Sequence, residues 1–357
     1  MKVKKSIRLL LTQSNEIDQE ATFLVRDCSR STSYFKSLYP IIPTQAYDTY
    51  WLFAYERQEI FFKKFANEKQ PWTKDQILCS HKFTNAYRAA DRVSQFLIRN
   101  VIYAGPQDPD NIFFRTILFK IFNKIETWYS LQERFGEVCI ENYNFESYDL
   151  FLSEMMNRGD KIYSAAYIMP SGYSLYKYKR KHSNHLAMLE QMLSDGIPHK
   201  IQSASKLRDV FELLLGYHSI GKFLAYQFAI DLNYTSLINF SENEFVVPGP
   251  GALNGISKCF ESLGGLTEYE IIKFMKDRQE EEFNRLGLNF RSLWGRQLTL
   301  IDCQNLFCEV DKYTRIALPH IKSIDNRKKI KQKYKRHPNN IFYFFPPKWG
   351  LNDKLRQ

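Results

Sequence analysis

Two short runs carry side chains and backbone suited to chemistry on a polyanion. Glu309-Val310-Asp311-Lys312-Tyr313-Thr314-Arg315 sets one carboxylate, Asp311, after an apolar strip in an otherwise basic, polar stretch. Val247-Pro248-Gly249-Pro250-Gly251-Ala252 reads as a Pro/Gly hairpin opening a helix. The unpaired N–H groups of such a helix start can hold a phosphate. Together the runs suggest a chain that grips nucleic acid and performs carboxylate-assisted chemistry on it. Asp311 could instead pair with Lys312 or Arg315 as a structural ion pair.

The elements that must position these groups read as helices. Apolar Tyr87, Ala90, Leu97, Ile98 and Val101 recur at helical spacing over 83–101, while Asn85, Arg88, Arg92, Gln95 and Arg99 fall at steps of three and four along another stripe. Planar Arg, Asn and Gln groups suit bidentate hydrogen bonds to phosphates or base edges; the alternative is a buried polar network with Asp91 paired to Arg88 or Arg92. A helix over 112–132 puts Asn123 and Glu126 beside Trp128, where they line a pocket or only brace neighbouring helices. Further helices are expected at 148–157, 186–193, 204–215, 222–233, 251–263 and 268–286. The aromatic and cationic run from Tyr173 to Lys181 suits stacking on bases with backbone contact, or a strand edge guarded by lysines. An all-α architecture follows, organised as an N-terminal helical region (1–82), a helical body (83–240), a hairpin and Asp311 segment (241–320) and a basic, aromatic C-terminal segment (321–357).

Composition permits this reading. With 357 residues, 44% apolar and 15% aromatic, the chain can bury a substantial core. The net charge is +11, and from Lys312 onward 13 Lys/Arg face two acidic residues, so the whole excess lies there. The tract Arg327 to Arg336 would release counterions on a polyanion, or serve as a solvated tail. The finish from Ile341 to Trp349 is too apolar for a free tail and is expected to fold back on the body.

Other classes are disfavoured. No run approaches the roughly 18 apolar residues of a membrane span, and the basic start is followed only by a short apolar stretch broken by Arg8, so a cytoplasmic protein is expected. Six scattered cysteines lack a C-x-x-C pair and point to reduced, buried thiols. His182 and His185 sit in a basic stretch and read as surface residues. Neither G-x-x-x-x-G-K-[ST] nor G-x-G-x-x-G occurs, and no metal or other cofactor is signalled.

Five runs carry a family likeness: 84–99 (TNAYRAADRVSQFLIR), 122–128 (FNKIETW), 221–227 (GKFLAYQ), Asp231-Leu232 and 302–309 (DCQNLFCE). In this order, from about Phe83 to Arg315, the chain resembles the alpha-glutamyl/putrescinyl thymine pyrophosphorylase family. That resemblance implies phage and bacterial proteins acting on hypermodified pyrimidines in DNA, on a helical scaffold distantly similar to helix-hairpin-helix DNA glycosylases. It includes members thought to transfer amino acids or polyamines onto activated 5-hydroxymethyluracil, members with P-loop domains that look like base kinases, and relatives in phage defence that look like glycosylases.

Set against the glycosylase pattern, Asp311 falls on the catalytic aspartate, with the arginine one residue early and Leu253 in place of a Schiff-base lysine. The resemblance therefore implies a monofunctional DNA glycosylase that excises a hydroxymethylated or glycosylated pyrimidine in anti-phage defence. Asp311 would stabilise the oxocarbenium-like sugar after the base is flipped out. The alternative is a transferase adding an amino acid or polyamine to activated 5-hydroxymethyluracil, with Glu309 or Asp231 as its base. The pocket candidates are Asn85, Tyr87, Arg88, Asp91, Gln95, Asn123, Glu126, Trp128, Gln227, Asp231, Asn305 and Glu309. Arg92, Arg99, Gly249, Gly251, Ala252, Gly255, Lys258, Lys312, Tyr313 and Arg315 are the candidate DNA contacts. The expected partner is DNA containing modified bases, with no membrane and no obligate protein partner.

Overall fold

The computed structural model describes residues 39–325, 327–335 and 341–356. Its longer helices are α1 (Gln45–Phe65), α2 (Pro109–Phe122), α3 (Ile125–Phe135), α4 (Phe145–Asn157), α5 (Lys181–Ser194), α6 (Leu207–Leu215), α7 (Lys222–Leu232), α8 (Pro250–Cys259), α9 (Glu268–Arg285) and α10 (Leu300–Ala317). The fold is all-α, with one small antiparallel pair, β1 (Ile41–Pro43) on β2 (Phe260–Leu263), in the register Ile41↔Leu263 and Ile42↔Ser262. Thr44 ties this pair to α1. Its hydroxyl accepts the Ala46 N–H at 3.0 Å, and its N–H donates to the Cys259 carbonyl at 2.9 Å.

One apolar cluster runs through the molecule, from Ala46 on α1 to Leu351 near the C-terminus. Within it α8 packs against α10 at backbone contact. A Cβ built on Gly255 would stand 2.1 Å from the Phe307 carbonyl oxygen, so only glycine allows this approach. The C-terminal aromatics fold back as expected: Phe345 is buried, the Phe344 N–H donates to Gln95 Oε1 at 2.7 Å, and the Tyr343 ring meets Phe61 at 5.1 Å.

Three expected helices are cut by contacts from elsewhere in the chain. Over 83–101 the backbone is non-helical to Tyr87, makes one short turn at Arg88–Ala90, and is helical only from Arg92, as an α-helix over Arg92–Phe96 that continues as a π-helix over Leu97–Ile102. Arg57 of α1 holds the carbonyls of Phe83 and Thr84, Asp91 takes the Asn85 N–H, and Asp302 takes the Arg88 N–H. The stretch 112–132 breaks at Asn123, which adopts φ 48° and closes α2 with its N–H on the Phe119 carbonyl. The 251–263 helix ends at Cys259, because Phe260–Leu263 pairs with β1.

His182 and His185 are also unlike the expectation of surface residues. Both are buried on α5, His182 at 3.2 Å from Asp149 Oδ1 and His185 between the Tyr163 hydroxyl and the Pro170 carbonyl. Burial lowers the His185 pKa to about 4, so its ring is neutral at physiological pH. The described cysteines are free, with Cys139, Cys259 and Cys303 buried; Cys28 lies outside the described residues, as do residues 1–38 of the region 1–82 and Arg336. No helix among the described residues is long and apolar enough to cross a membrane.

Candidate functional site

Arg88 is the hub at which distant segments meet. Its guanidinium grips Asp231 of α7 with two bonds, Nη1–Oδ1 at 2.7 Å and Nη2–Oδ2 at 3.0 Å, and its Nε donates to Gln227 Oε1 at 3.1 Å. The second oxygen of Asp231 also meets Lys120 Nζ of α2 at 3.1 Å, and Lys120 donates to Asn123 Oδ1 at 2.9 Å. The Tyr234 hydroxyl completes the ring at 3.3 Å from Arg88. Arg88, Asp231 and Lys120 are each no more than 3% exposed. Burial by itself would raise the Asp231 pKa, but Arg88 and Lys120 outweigh it and hold the carboxyl below its ordinary value. A charged trio in the interior is thus balanced by bidentate geometry.

Asp91 sits beside this hub, its N–H on the Arg88 carbonyl at 3.2 Å. It is partly exposed, and its Oδ1 accepts the Asn85 N–H at 2.8 Å. Burial and the nearby Glu309 carboxylate push its pKa up to about 7, against the pull of the Asn85 N–H, Arg57 and Arg88. A base poised near neutrality both accepts and releases a proton readily. Because the folded pKa lies above the unfolded value, the folded chain binds more protons between about pH 4 and pH 7, and stability falls as pH rises through that window. Asp91→Asn is accordingly expected to flatten the pH dependence of the melting temperature, gaining about 2 °C or more over the wild type at pH 8 and nothing at pH 4. Parallel pH profiles for the two proteins would remove Asp91 from this role.

The other expected centre is closed. Asp311 is 1% exposed on the face of α10 that meets α8, with Oδ1 3.1 Å from Lys258 Nζ and Oδ2 held by Arg315. Lys258 is itself buried and bonds the Asp311 carbonyl at 3.0 Å and the Thr314 hydroxyl at 3.2 Å. Gly251, Ala252 and Gly255 serve the same packing: a Cβ on Gly251 would stand 3.0 Å from Cys308 Sγ, and Ala252 is fully buried. Gly249 lies against the Phe223 ring. The hairpin-like run follows a non-helical stretch, 233–249, and opens α8. Lys258, Ala252 and Gly255 therefore pack helices rather than face a phosphate.

The remaining candidates divide cleanly. Asn85, Gln227, Asn123 and Asp231 join Arg88 and Asp91, while Glu309 accepts the Thr84 N–H at 3.0 Å and pairs with Lys312 at 2.7 Å. Tyr87 and Gln95 brace the fold: the Tyr87 hydroxyl donates to the Arg296 carbonyl at 2.6 Å, and Gln95 Nε2 donates to Ala89. Trp128 is core, edge-on to Phe119, and Glu126 faces solvent, so the expected Glu126–Trp128 pocket is absent. Asn305 accepts from its neighbour Gln304, and the Tyr313 hydroxyl donates to Asp75. Arg99 is exposed over the Phe342 ring, and Arg92 is partly exposed. The polar stripe is thus a buried network at Arg88 and Gln95. Sequence reasoning missed Lys120; a lysine inside Ile112–Phe122, an otherwise apolar stretch save Arg115 and Thr116, was the available signal. Among the described residues no group of three or more His, Cys, Asp or Glu is arranged to hold a metal ion.

An all-helical body with an interior arginine hub built from ordered sequence motifs defines a helical-domain class. The family described as "5-hmdU DNA kinase, helical domain" matches residues 44–323, and the chain belongs to that family. A Bacillus phage SP10 protein described as "5-hmdU DNA kinase" is 25% identical over 285 residues, which is 75% of this chain and 44% of the phage protein. The chain therefore spans less than half the length of that curated relative. No solved structure matches.

These matches correct the expected activity. A kinase family replaces the DNA N-glycosylase and hydrolase reading, and the role of Asp311 in glycosidic cleavage goes with it. The alternative, a transferase adding an amino acid or polyamine to activated 5-hydroxymethyluracil, is the better supported of the two as a transferase on that base, while the family's printed activity is a kinase's and not amino-acid or polyamine transfer. The resemblance to thymine pyrophosphorylases holds at the coarser level of enzymes that modify this base in phage DNA.

Proposed function

We propose that this chain binds DNA containing 5-hydroxymethyluracil and holds that base at the Arg88 hub, presenting its exocyclic hydroxyl for phosphorylation. Family membership over residues 44–323 carries the reading. The chemistry of the hub supports it. Asp91 would take the hydroxyl proton as the oxygen attacks the terminal phosphorus of a nucleoside triphosphate; the new O–P bond forms, the bridging P–O bond breaks, and the nucleoside diphosphate departs. The 357 residues contain no G-x-x-x-x-G-K-[ST], so the reading assigns to them the base grip and the proton acceptor, not the nucleotide site. Exposed Arg327, Lys328, Lys329, Lys331 and Lys333 lie on a segment whose residues 332–334 pair with the backbone of Ser80–Lys82, and would supply a salt-sensitive hold on phosphates.

The test is a fluorescence-polarisation comparison of oligonucleotides that differ only in one 5-hydroxymethyluracil or thymine. A hydrogen bond from a charged group to the extra hydroxyl is worth about 1.5–3 kcal/mol, so the modified strand is expected to bind roughly ten- to a hundredfold more tightly. Equal affinity for the two strands would overturn the assignment, whatever the salt dependence.

A further inference from the structure

Tyr167 is placed where a planar base would sit. It adopts φ 57°, a conformation that non-glycine residues take only when their surroundings hold them there. Its ring lies 8° from parallel to Phe223 with centroids 5.8 Å apart, Lys120 Nζ stands 4.3 Å from its centroid, and the Arg88 guanidinium lies beside its hydroxyl. A flat six-membered ring is thus set by an aromatic neighbour and a cation, with its oxygen toward an arginine. Those are the contacts a pyrimidine would use for stacking and for a carbonyl or hydroxymethyl oxygen.

A second observation comes from Gln227. Its Oε1 accepts from Arg88 Nε, which fixes the orientation of the amide. The Nε2 donor is left buried without a partner, in a side chain that is 0% exposed. Buried donors are nearly always satisfied, so this one has capacity for an acceptor, which a water or a ligand oxygen supplies. A pyrimidine carbonyl oxygen fits that need.

We propose that Tyr167 fills the seat of the extrahelical pyrimidine in the DNA-free protein, and that the base displaces it, stacking by Phe223 over Lys120 and accepting from Gln227 Nε2. This rests on the reading that the chain binds DNA through a modified pyrimidine at the hub. Removing the occupant raises the fraction of binding-competent protein, so Tyr167→Ala is expected to bind a 5-hydroxymethyluracil oligonucleotide about tenfold more tightly than the wild type. Unchanged or weaker binding by a variant with a wild-type circular dichroism spectrum would overturn the displacement. A second measurement needs no variant: tetranitromethane nitration of Tyr167 in the wild type should rise when the oligonucleotide is added, since the ring leaves its seat, and a fall or no change overturns the proposal. Wild-type protein that fails to prefer the modified strand over thymine would instead sink the underlying functional reading.

Discussion

Asp231→Ala is expected to lower the unfolding free energy by about 3–5 kcal/mol, the usual cost of leaving a buried charge uncompensated. The magnitude follows from the hub itself. Arg88 and Lys120 both lie in the interior and both lean on this one carboxylate, at 2.7 Å and 3.1 Å. Removing it leaves two buried cations without a counter-charge. Urea denaturation of the two proteins checks this, and a loss under about 1 kcal/mol would show that the trio is not desolvated. Asp231→Asn should fall between, since the amide oxygen still accepts from Arg88 while the neutral group no longer balances the charge.

Gly255→Ala carries the second large effect, of about 3 kcal/mol, at the upper end of overpacking costs. The new methyl would meet the Phe307 carbonyl carbon and oxygen at 2.6 Å and 2.1 Å, and a helix backbone cannot move aside as a side chain can. Helices α8 and α10 would have to separate, which also strains the Lys258–Asp311 ion pair between them. Gly251→Ala is the internal comparison. Its nearest obstacle is the Cys308 thiol at 3.0 Å, so the expected loss is smaller, roughly 1 kcal/mol. Equal losses at the two positions, measured by thermal or urea unfolding, would contradict this account of the interface.

Much of the architecture is legible because helical spacing, apolar runs and capping signals mark where several of the helices lie. The expected 222–233 and 268–286 stand as Lys222–Leu232 and Glu268–Arg285, the latter started by the Thr267–Glu270 capping box. What the sequence conceals is decided by contacts distant in the chain. Residues 83–101 have the periodicity of a helix, yet Arg57, Asp91 and Asp302 each claim a backbone group there, and the extended path that results delivers Arg88 to Asp231. The αL turn at Asn123 likewise brings Lys120 and Asn123 to the hub, where a straight helix would have aligned Asn123 with Glu126 instead.

The site was partly legible for a related reason. The motif runs around 84–99, 122–128, 221–227 and Asp231 do converge, and planar polar side chains such as Arg88 and Gln227 were its signal. Asp311 misled because an aspartate near an arginine has the same one-dimensional pattern whether it faces a substrate or seals a helix pair. Only Lys258, brought in by the glycine contact between α8 and α10, distinguishes the two. Tyr167 carried no pattern at all, since its placement depends on a loop conformation with positive φ.

The most direct test of the account replaces the modified base in a DNA oligonucleotide with 5-iodouracil, irradiates the complex with the full chain, and maps the crosslinked peptide by mass spectrometry. A base seated at the Arg88 hub should attach to the aromatic side chain it stacks on there, Phe223. Crosslinks confined to the basic segment 327–335, or to the α8–α10 face around Asp311, would contradict it.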